Sequence, residues 1–418
     1  MEMTQGSSGR NPGPIYVLLG ATALSMVGNA LTFVAIPWFV LQTTGSAAKT
    51  GLAAGASFLA LVLAGLFGGP VVDRLGFKRS SIVADLASGV SVALIPLLYH
   101  TVGLAFWQLL VLVFLGAFLD TPGMTARQSL IPDLSGRARM SMERANSASQ
   151  AIQRFSLLVG PPLGGILIAA IGTSNVLWLD AATFAVSAAA VAAAIPSSDR
   201  TMQGTAREGY FAEFTQGLRF VWRDRPILSI IAAAVLLNFL VEPVFAVVMP
   251  YYAREVFGNA VNLGLMLGGF GAGAFAGVVI FGAIGHRLPR RATLVTVLIL
   301  TAIPFLLLST TPPLPLCVAA MAVVGLGIGP GNPLIFTVVQ ERTPPGMLGR
   351  VFGALFALAE GAAPLGMVVS GYLLEVAGLR FVLTTIVAGY VIVTLYSLLN
   401  PAFREMEKPT VDTLRRDA

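Results

Sequence analysis

The chain has 418 residues, 56% of them hydrophobic and only 11% charged, with a mean hydropathy of +0.82. So few charges cannot cover a water-exposed globular surface, so lipid must solvate most of the chain; the net charge of +6 then reports membrane topology rather than nucleic-acid binding. A hydrocarbon core about 30 Å thick takes about 20 residues of helix, so this length supplies about a dozen crossings and little else.

The N-terminal arm, 1–14, is polar, and the first apolar stretch is too long for a signal-peptide h-region, which predicts a retained first helix. Apolar runs of spanning length fall at 15–41, 51–72, 81–99, 103–125, 145–171 and 175–196, then at 226–252, 263–285, 292–309, 314–339, 351–377 and 379–399. They are continuously apolar rather than alternating, which excludes a β-barrel. The expected fold is an all-α membrane protein of twelve transmembrane helices in two pseudo-symmetric six-helix bundles, 15–196 and 226–400, separated by a cytoplasmic loop, 197–225, and followed by a cytoplasmic tail, 401–418. Two repeats support the duplication: GPVVDRLGFKR at 69–79 is echoed by GAIGHRLPRR at 282–291, and Pro162-Leu163-Gly164 by Pro364-Leu365-Gly366.

The connections alternate between basic and neutral. One side, which includes 73–79, 127–144, 197–225, 286–291, 340–350 and both ends, holds 22 of the 26 Lys and Arg residues; the other holds Lys49, Arg254 and Arg380, and Arg154 lies inside a run. Cytoplasmic loops carry the excess of positive charge, so both termini are expected in the cytoplasm and the protein in the inner (plasma) membrane.

Gly69-Pro70-Val71-Val72-Asp73-Arg74-Leu75-Gly76-Phe77-Lys78-Arg79 resembles the signature loop between the second and third helices of the major facilitator superfamily. In that family the loop latches the cytoplasmic side in one conformational state, and the resemblance implies this role for Gly69, Asp73, Arg74, Gly76, Lys78 and Arg79. Gly69 permits close helix approach, Gly76 a tight turn, and the Asp73 carboxylate can cap a helix N-terminus or pair with an arginine. Phe77 stands where a basic residue is often found. Gly160-Pro161-Pro162-Leu163-Gly164-Gly165 resembles the antiporter motif of the drug-exporting members, with Ser156 where that motif usually begins with Gly. Its glycines, Gly160, Gly164 and Gly165, favour close packing, and Pro161 with Pro162 is expected to bend the helix. The region from Asp120-Thr121-Pro122-Gly123 through Arg127 to Leu134, with Ala145-Asn146, resembles the branch that holds macrolide and siderophore exporters.

Charges within the spans each cost about 2.5–3.5 kcal/mol at a helix centre and need a reason to be there. Depth counting puts Asp85 and Asp120 near the inner third, Arg154 and Glu360 near the middle, and Glu242 toward the outer half. Arg154 is expected to face the interior and pair with Asp120 or Glu360, and Glu242 to exchange protons. Asn29, Gln150, Gln153 and Asn238 are the candidate cavity-lining polar residues. Asp180 and Glu375 are placed at outer ends as solvated carboxylates. Cys317, the single cysteine, is expected to serve packing.

Without HExxH, a nucleophile elbow or Walker A, and with only His100 and His286 as histidines, the chain is expected to be no enzyme and no ATPase. The resemblance implies a secondary transporter exporting an amphipathic drug or metabolite, macrolide-like or siderophore-like, by proton antiport with alternating access. An importer or uniporter of the same fold is the alternative, and a membrane enzyme or sensor a more distant one. The expected partners are a small amphipathic solute and the bilayer, with no nucleic acid, no cofactor and no metal; the proton gradient supplies energy and the monomer is the functional unit.

Overall fold

The structure, a computed structural model, describes residues 12–196 and 210–407, apart from the side chains at 69–71, 73 and 210–213. Most of the N-terminal arm, much of the central loop and the last part of the tail therefore lie outside the described residues.

Six helices come first: α1 (Gly13–Thr44), α2 (Ala47–Leu75), α3 (Phe77–Thr101), α4 (Phe106–Ala138), α5 (Met142–Ile171) and α6 (Thr173–Ala194). A shorter helix, α7 (Tyr210–Arg223), leads into α8 (Arg225–Phe257), α9 (Ala260–Ile284) and α10 (Arg290–Leu308). The next crossing is built from α11 (Leu314–Ile328) and α12 (Gly331–Arg342), and the chain closes with α13 (Leu348–Gly361) and α14 (Ala363–Leu399). Among the described residues eleven helical stretches are long and apolar enough to cross a membrane. The last of them, Pro345–Leu399, has 55 residues and would span about 80 Å, more than twice the hydrocarbon core. Gly378, at φ 81° and ψ 172°, breaks it in two, which gives twelve crossings. Only glycine adopts that backbone conformation without strain.

Two stretches expected as loops are helical. The segment expected as a basic loop over 127–144 is the continuation of α4 as far as Ala138, in spite of Pro122 and Pro132. Burial explains it: Leu130, Ile131, Leu134 and Ala138 pack against Ile15, Leu18 and Leu19 of α1, and that contact outweighs the falling hydropathy. The central connection contains α7, whose Val221 is buried among Ile227, Val351 and Leu355 while Arg219, Trp222 and Arg223 stay exposed. Gly217 of α7 rests on the backbone of Arg350, where a Cβ would have no room. Asp224 caps α8 by accepting from Ile227 N at 2.9 Å and receives Arg342 Nε at 3.1 Å. At the end of the described chain, Pro401–Glu407 forms a short 3-10 turn with Phe403 and Met406 buried.

Contacts group the chain into two compact units. One holds the first part of α1 to Thr32, Leu63–Gly160 and the chain from Ser174; the other holds Phe33–Val62, Pro161–Thr173 and the chain from Thr205. Within the second unit, glycines set the helix spacing. Gly51 of α2 lies on Met367 and Gly371 of α14, and a Cβ on Gly165 of α5 would come within 2.5 Å of the Ala260 carbonyl on α9. Cys317 is fully buried beside Tyr252, their Sγ and hydroxyl 3.4 Å apart.

Candidate functional site

Four helices of the first unit each carry polar side chains at helical spacing. On α1, Ser25, Asn29 and Thr32 lie at i, i+4 and i+7 and share a face; Asp180, Thr183 and Ser187, at i, i+3 and i+7, share one on α6. Asp85 comes from α3, and α4 contributes Asp120 and, two turns later, Arg127.

These stripes meet at Arg127. Its Nη1 donates to Asp85 Oδ1 at 2.5 Å and its Nη2 lies 3.7 Å from Asp120 Oδ1 and 3.5 Å from Ser25 Oγ. Ser187 Oγ donates to the other Asp85 oxygen at 2.7 Å, and Asn29 Nδ2 to Asp120 Oδ2 at 2.9 Å. Arg127 is 2% exposed, Asp85 0% and Asp120 14%. Two buried polar atoms, Asp120 Oδ1 and Arg127 Nε, have no hydrogen-bond partner among the described residues. Arg127 lines a small pocket together with Thr22, Met26, Met124, Gln128 and Ser149.

A buried ion pair persists only if its remaining lone pairs and protons are satisfied. Asp85 meets that condition through Arg127 and Ser187. Asp120 does so only in part, because one oxygen faces the cation from beyond hydrogen-bond distance. With one arginine between two carboxylates, the cluster carries an excess negative charge unless one acid holds a proton.

A third carboxylate of this unit, Asp180, is also buried, at 0% exposure, and not solvated at a helix end as depth counting had it. It accepts from Thr32 Oγ1 at 2.5 Å and from Thr183 Oγ1 at 3.2 Å. The correction has a simple cause: Asp180 lies about two turns inside α6, and the α1 hydroxyl reaches across to it.

Arg154 needs the second correction. It is exposed on α5 beside the equally exposed Gln150 and Gln153, and none of the ion pairs among the described residues involves it. The intramembrane cation that does find acids is Arg127. Sequence reasoning assigned Arg127 to a loop because it put the end of α4 too early. The seven-residue spacing from Asp120 to Arg127, which puts both on one face of a continuous helix, was the signal available.

In the second unit, Glu242 of α8 and Glu360 of α13 are partly buried and lie within electrostatic reach of each other, and Tyr390 of α14 lies within reach of Glu242. Neither glutamate forms an ion pair among the described residues. Asn238 is one turn before Glu242 and half-buried. Just beyond Glu242, α8 passes through wide π turns at Val244–Val248 and Ala253–Phe257, a local geometry that often accompanies functional sites.

Of the latch residues, the side chains of Gly69 and Asp73 lie outside the described residues. Gly76 takes φ 79° between α2 and α3, Arg74 and Arg79 are exposed, and Lys78 Nζ donates to the Ala192 carbonyl in the last turn of α6 at 2.9 Å. In the antiporter motif, Gly160 lies against Ala30, Gly165 against α9, and Gly164 is buried. Helix α5 runs unbroken through Pro161 and Pro162. Glu375, exposed, accepts from Ser46 Oγ at 2.6 Å and from Ala48 N at 3.0 Å, so it caps α2.

This arrangement of helices has solved counterparts. The nucleoside transporter NupG superposes with a TM-score of 0.76 at 12% identity, over 92% of this chain and 98% of its own. A bacterial homologue of the human lysosomal transporter Spinster gives 0.73 at 15% identity, over 94% and 98%. In sequence, the multidrug efflux pump Tap of Mycobacterium tuberculosis is 34% identical over 401 residues, covering 95% of this chain and 96% of its own. Macrolide efflux protein A of Streptococcus pyogenes is 22% identical over 407 residues, covering 94% and 96%. The family model for the Major Facilitator Superfamily matches residues 18–354 and again 231–416. Twelve crossings among the described residues and these matches agree: the chain is a multi-pass membrane transporter, not an enzyme, and belongs to the Major Facilitator Superfamily.

Proposed function

We propose that the protein exports amphipathic drugs of the macrolide kind across the plasma membrane by exchanging them for protons, with both termini in the cytoplasm. The efflux relatives support the solute class and direction. The observation that carries the coupling is the charge count around Arg127: one cation faces two carboxylates within 4 Å. Both Asp85 oxygens receive a donor, from Arg127 and from Ser187, whereas one Asp120 oxygen has no hydrogen-bond partner, so Asp120 is the group that takes and gives up the proton. Glu242 and Glu360 form a second acidic pair without a cation. Neutralising one of them, by a proton or by a cationic group of the solute, would make proton and solute compete. Arg154, with Gln150 and Gln153, then serves as an accessible polar strip on α5.

The test uses purified protein in liposomes with the cytoplasmic side outward. An acid lumen should drive erythromycin uptake into the vesicles, and Asp120→Asn should abolish this drive while leaving downhill counterflow of erythromycin intact. Uptake in the wild type that ignores the pH gradient sinks the antiport reading.

A further inference from the structure

We propose that Asp180 is a second proton-binding site of the N-terminal half, an outer station that loads a proton before Asp120 does. The idea rests on the antiport reading and extends it to a residue that neither the charge pattern nor the motifs single out. Three observations converge on this carboxyl. It is fully buried, and no Lys or Arg pairs with it among the described residues. Its partners are hydroxyls, Thr32 on α1 and Thr183 on its own helix. The helix facing it has been pared down to admit it, since a Cβ on Gly28 would overlap both Asp180 Oδ1 and Thr183 Oγ1.

The chemistry of the partners distinguishes Asp180 from Asp85. Arginine has donors and no acceptor, so Arg127 holds Asp85 as an anion. A hydroxyl both donates and accepts, so Thr32 and Thr183 can serve Asp180 in either protonation state by rotating about one bond. Thr183 Oγ1 lies 2.7 Å from the Asp180 backbone carbonyl and 3.2 Å from Asp180 Oδ1; when its one proton goes to the carbonyl, its oxygen can receive an O–H from a protonated carboxyl. The charged group acting on Asp180 from a neighbouring helix is Asp120 of α4. Helix α1 presents Gly28, Asn29 and Thr32 to this region, and α3 sets Gly89 against Phe184 one turn along α6.

The two acids are held by neighbouring residues of one helix. Thr32 holds Asp180 and Asn29 holds Asp120, and the two α1 residues are one turn apart on the same face. In the step proposed, the Asp180 carboxylate takes a proton from hydronium at the Thr173 end of α6; a hydronium O–H bond breaks, water is left, and an O–H bond forms on the carboxyl. That O–H bond then breaks as an O–H bond forms on the Asp120 carboxylate, which leaves Asp180 as the anion again.

The test begins without any solute. Infrared spectra of the purified wild type should show a protonated-carboxyl C=O band that disappears as pH rises and is missing in Asp180→Asn. In liposomes, Asp180→Asn should lose at least about tenfold in gradient-driven erythromycin transport yet keep downhill counterflow. Should Asp180→Asn fold poorly, Thr32→Val leaves the carboxyl in place and should move the pH midpoint of the band. An Asp180 band that does not titrate, an unmoved midpoint in Thr32→Val, or full gradient-driven transport by Asp180→Asn overturns this proposal alone. A wild type without gradient-driven transport overturns the antiport reading and this one together.

Discussion

Arg127 is the largest fully buried side chain in the described structure, and what happens when it is removed follows from its two carboxylates. Arg127→Met strands Asp85 and Asp120 in hydrocarbon without a cation, and breaking a buried pair of this kind costs about 3–5 kcal/mol. Asp85→Asn strands the guanidinium in turn, but Asp120 remains 3.7 Å away to take it up, so the loss should be smaller. Thermal denaturation of the detergent-purified proteins should therefore rank Arg127→Met below Asp85→Asn. The double variant should recover part of the single Arg127→Met loss, because one stranded charge has gone. A double variant whose losses simply add would mean the pair is not coupled. The partial legibility of this site has the same physical origin. Asp120 and Asn29 are polar residues within apolar runs and were readable as such, whereas Arg127 stood beyond the apparent end of its run and Asp180 close to the start of its own. Hydropathy gives depth along the normal to within several residues; it says nothing of the direction a side chain faces, and for these two residues the facing decides the role.

Along the elements, glycine placement marks where helices touch. A side chain at Gly165 meets the Ala260 carbonyl and the Gly264 Cα on α9, while Gly65 of α2 has nothing within 4 Å of the place a Cβ would occupy. Gly165→Val should therefore push α5 and α9 apart and depress transport severely, with helical content unchanged by circular dichroism. Gly65→Ala should transport as the wild type and gain up to about 1 kcal/mol in stability, since alanine loses less backbone entropy in a helix. Equal transport by the two variants would refute the packing role of the motif glycines. The sequence pattern conveyed the closeness of these helices through Gly160 to Gly165, and Pro161 and Pro162 lie within one continuous helix. Helix ends were the least readable feature. Helix α4 extends past its apolar run because four of its residues bury against α1 and its neighbours, and α7 forms because one face of a polar segment is apolar enough to cover α8 and α13. Tertiary burial of this sort leaves no mark in a hydropathy profile.

For the molecule as a whole, the number of crossings was readable because lipid sets a minimum length for every span, and the described stretch long enough for two, Pro345–Leu399, carries its own break at Gly378. Orientation rests on a different force, the bias of Lys and Arg to one side, 21 residues against 3 once the buried Arg127 is taken out of the count. It can be checked with single cysteines, because the natural Cys317 is fully buried and should contribute little background in intact cells. Arg380→Cys, in the break between the last two crossings, should react with a membrane-impermeant maleimide from outside. Arg79→Cys and Arg287→Cys, both at exposed positions, should react only after permeabilisation. The reverse pattern would turn the Thr173 end of α6 toward the cytoplasm. Asp180 would then be loaded from the wrong side of the membrane, and a proton passing from it to Asp120 would run against the gradient that has to power export.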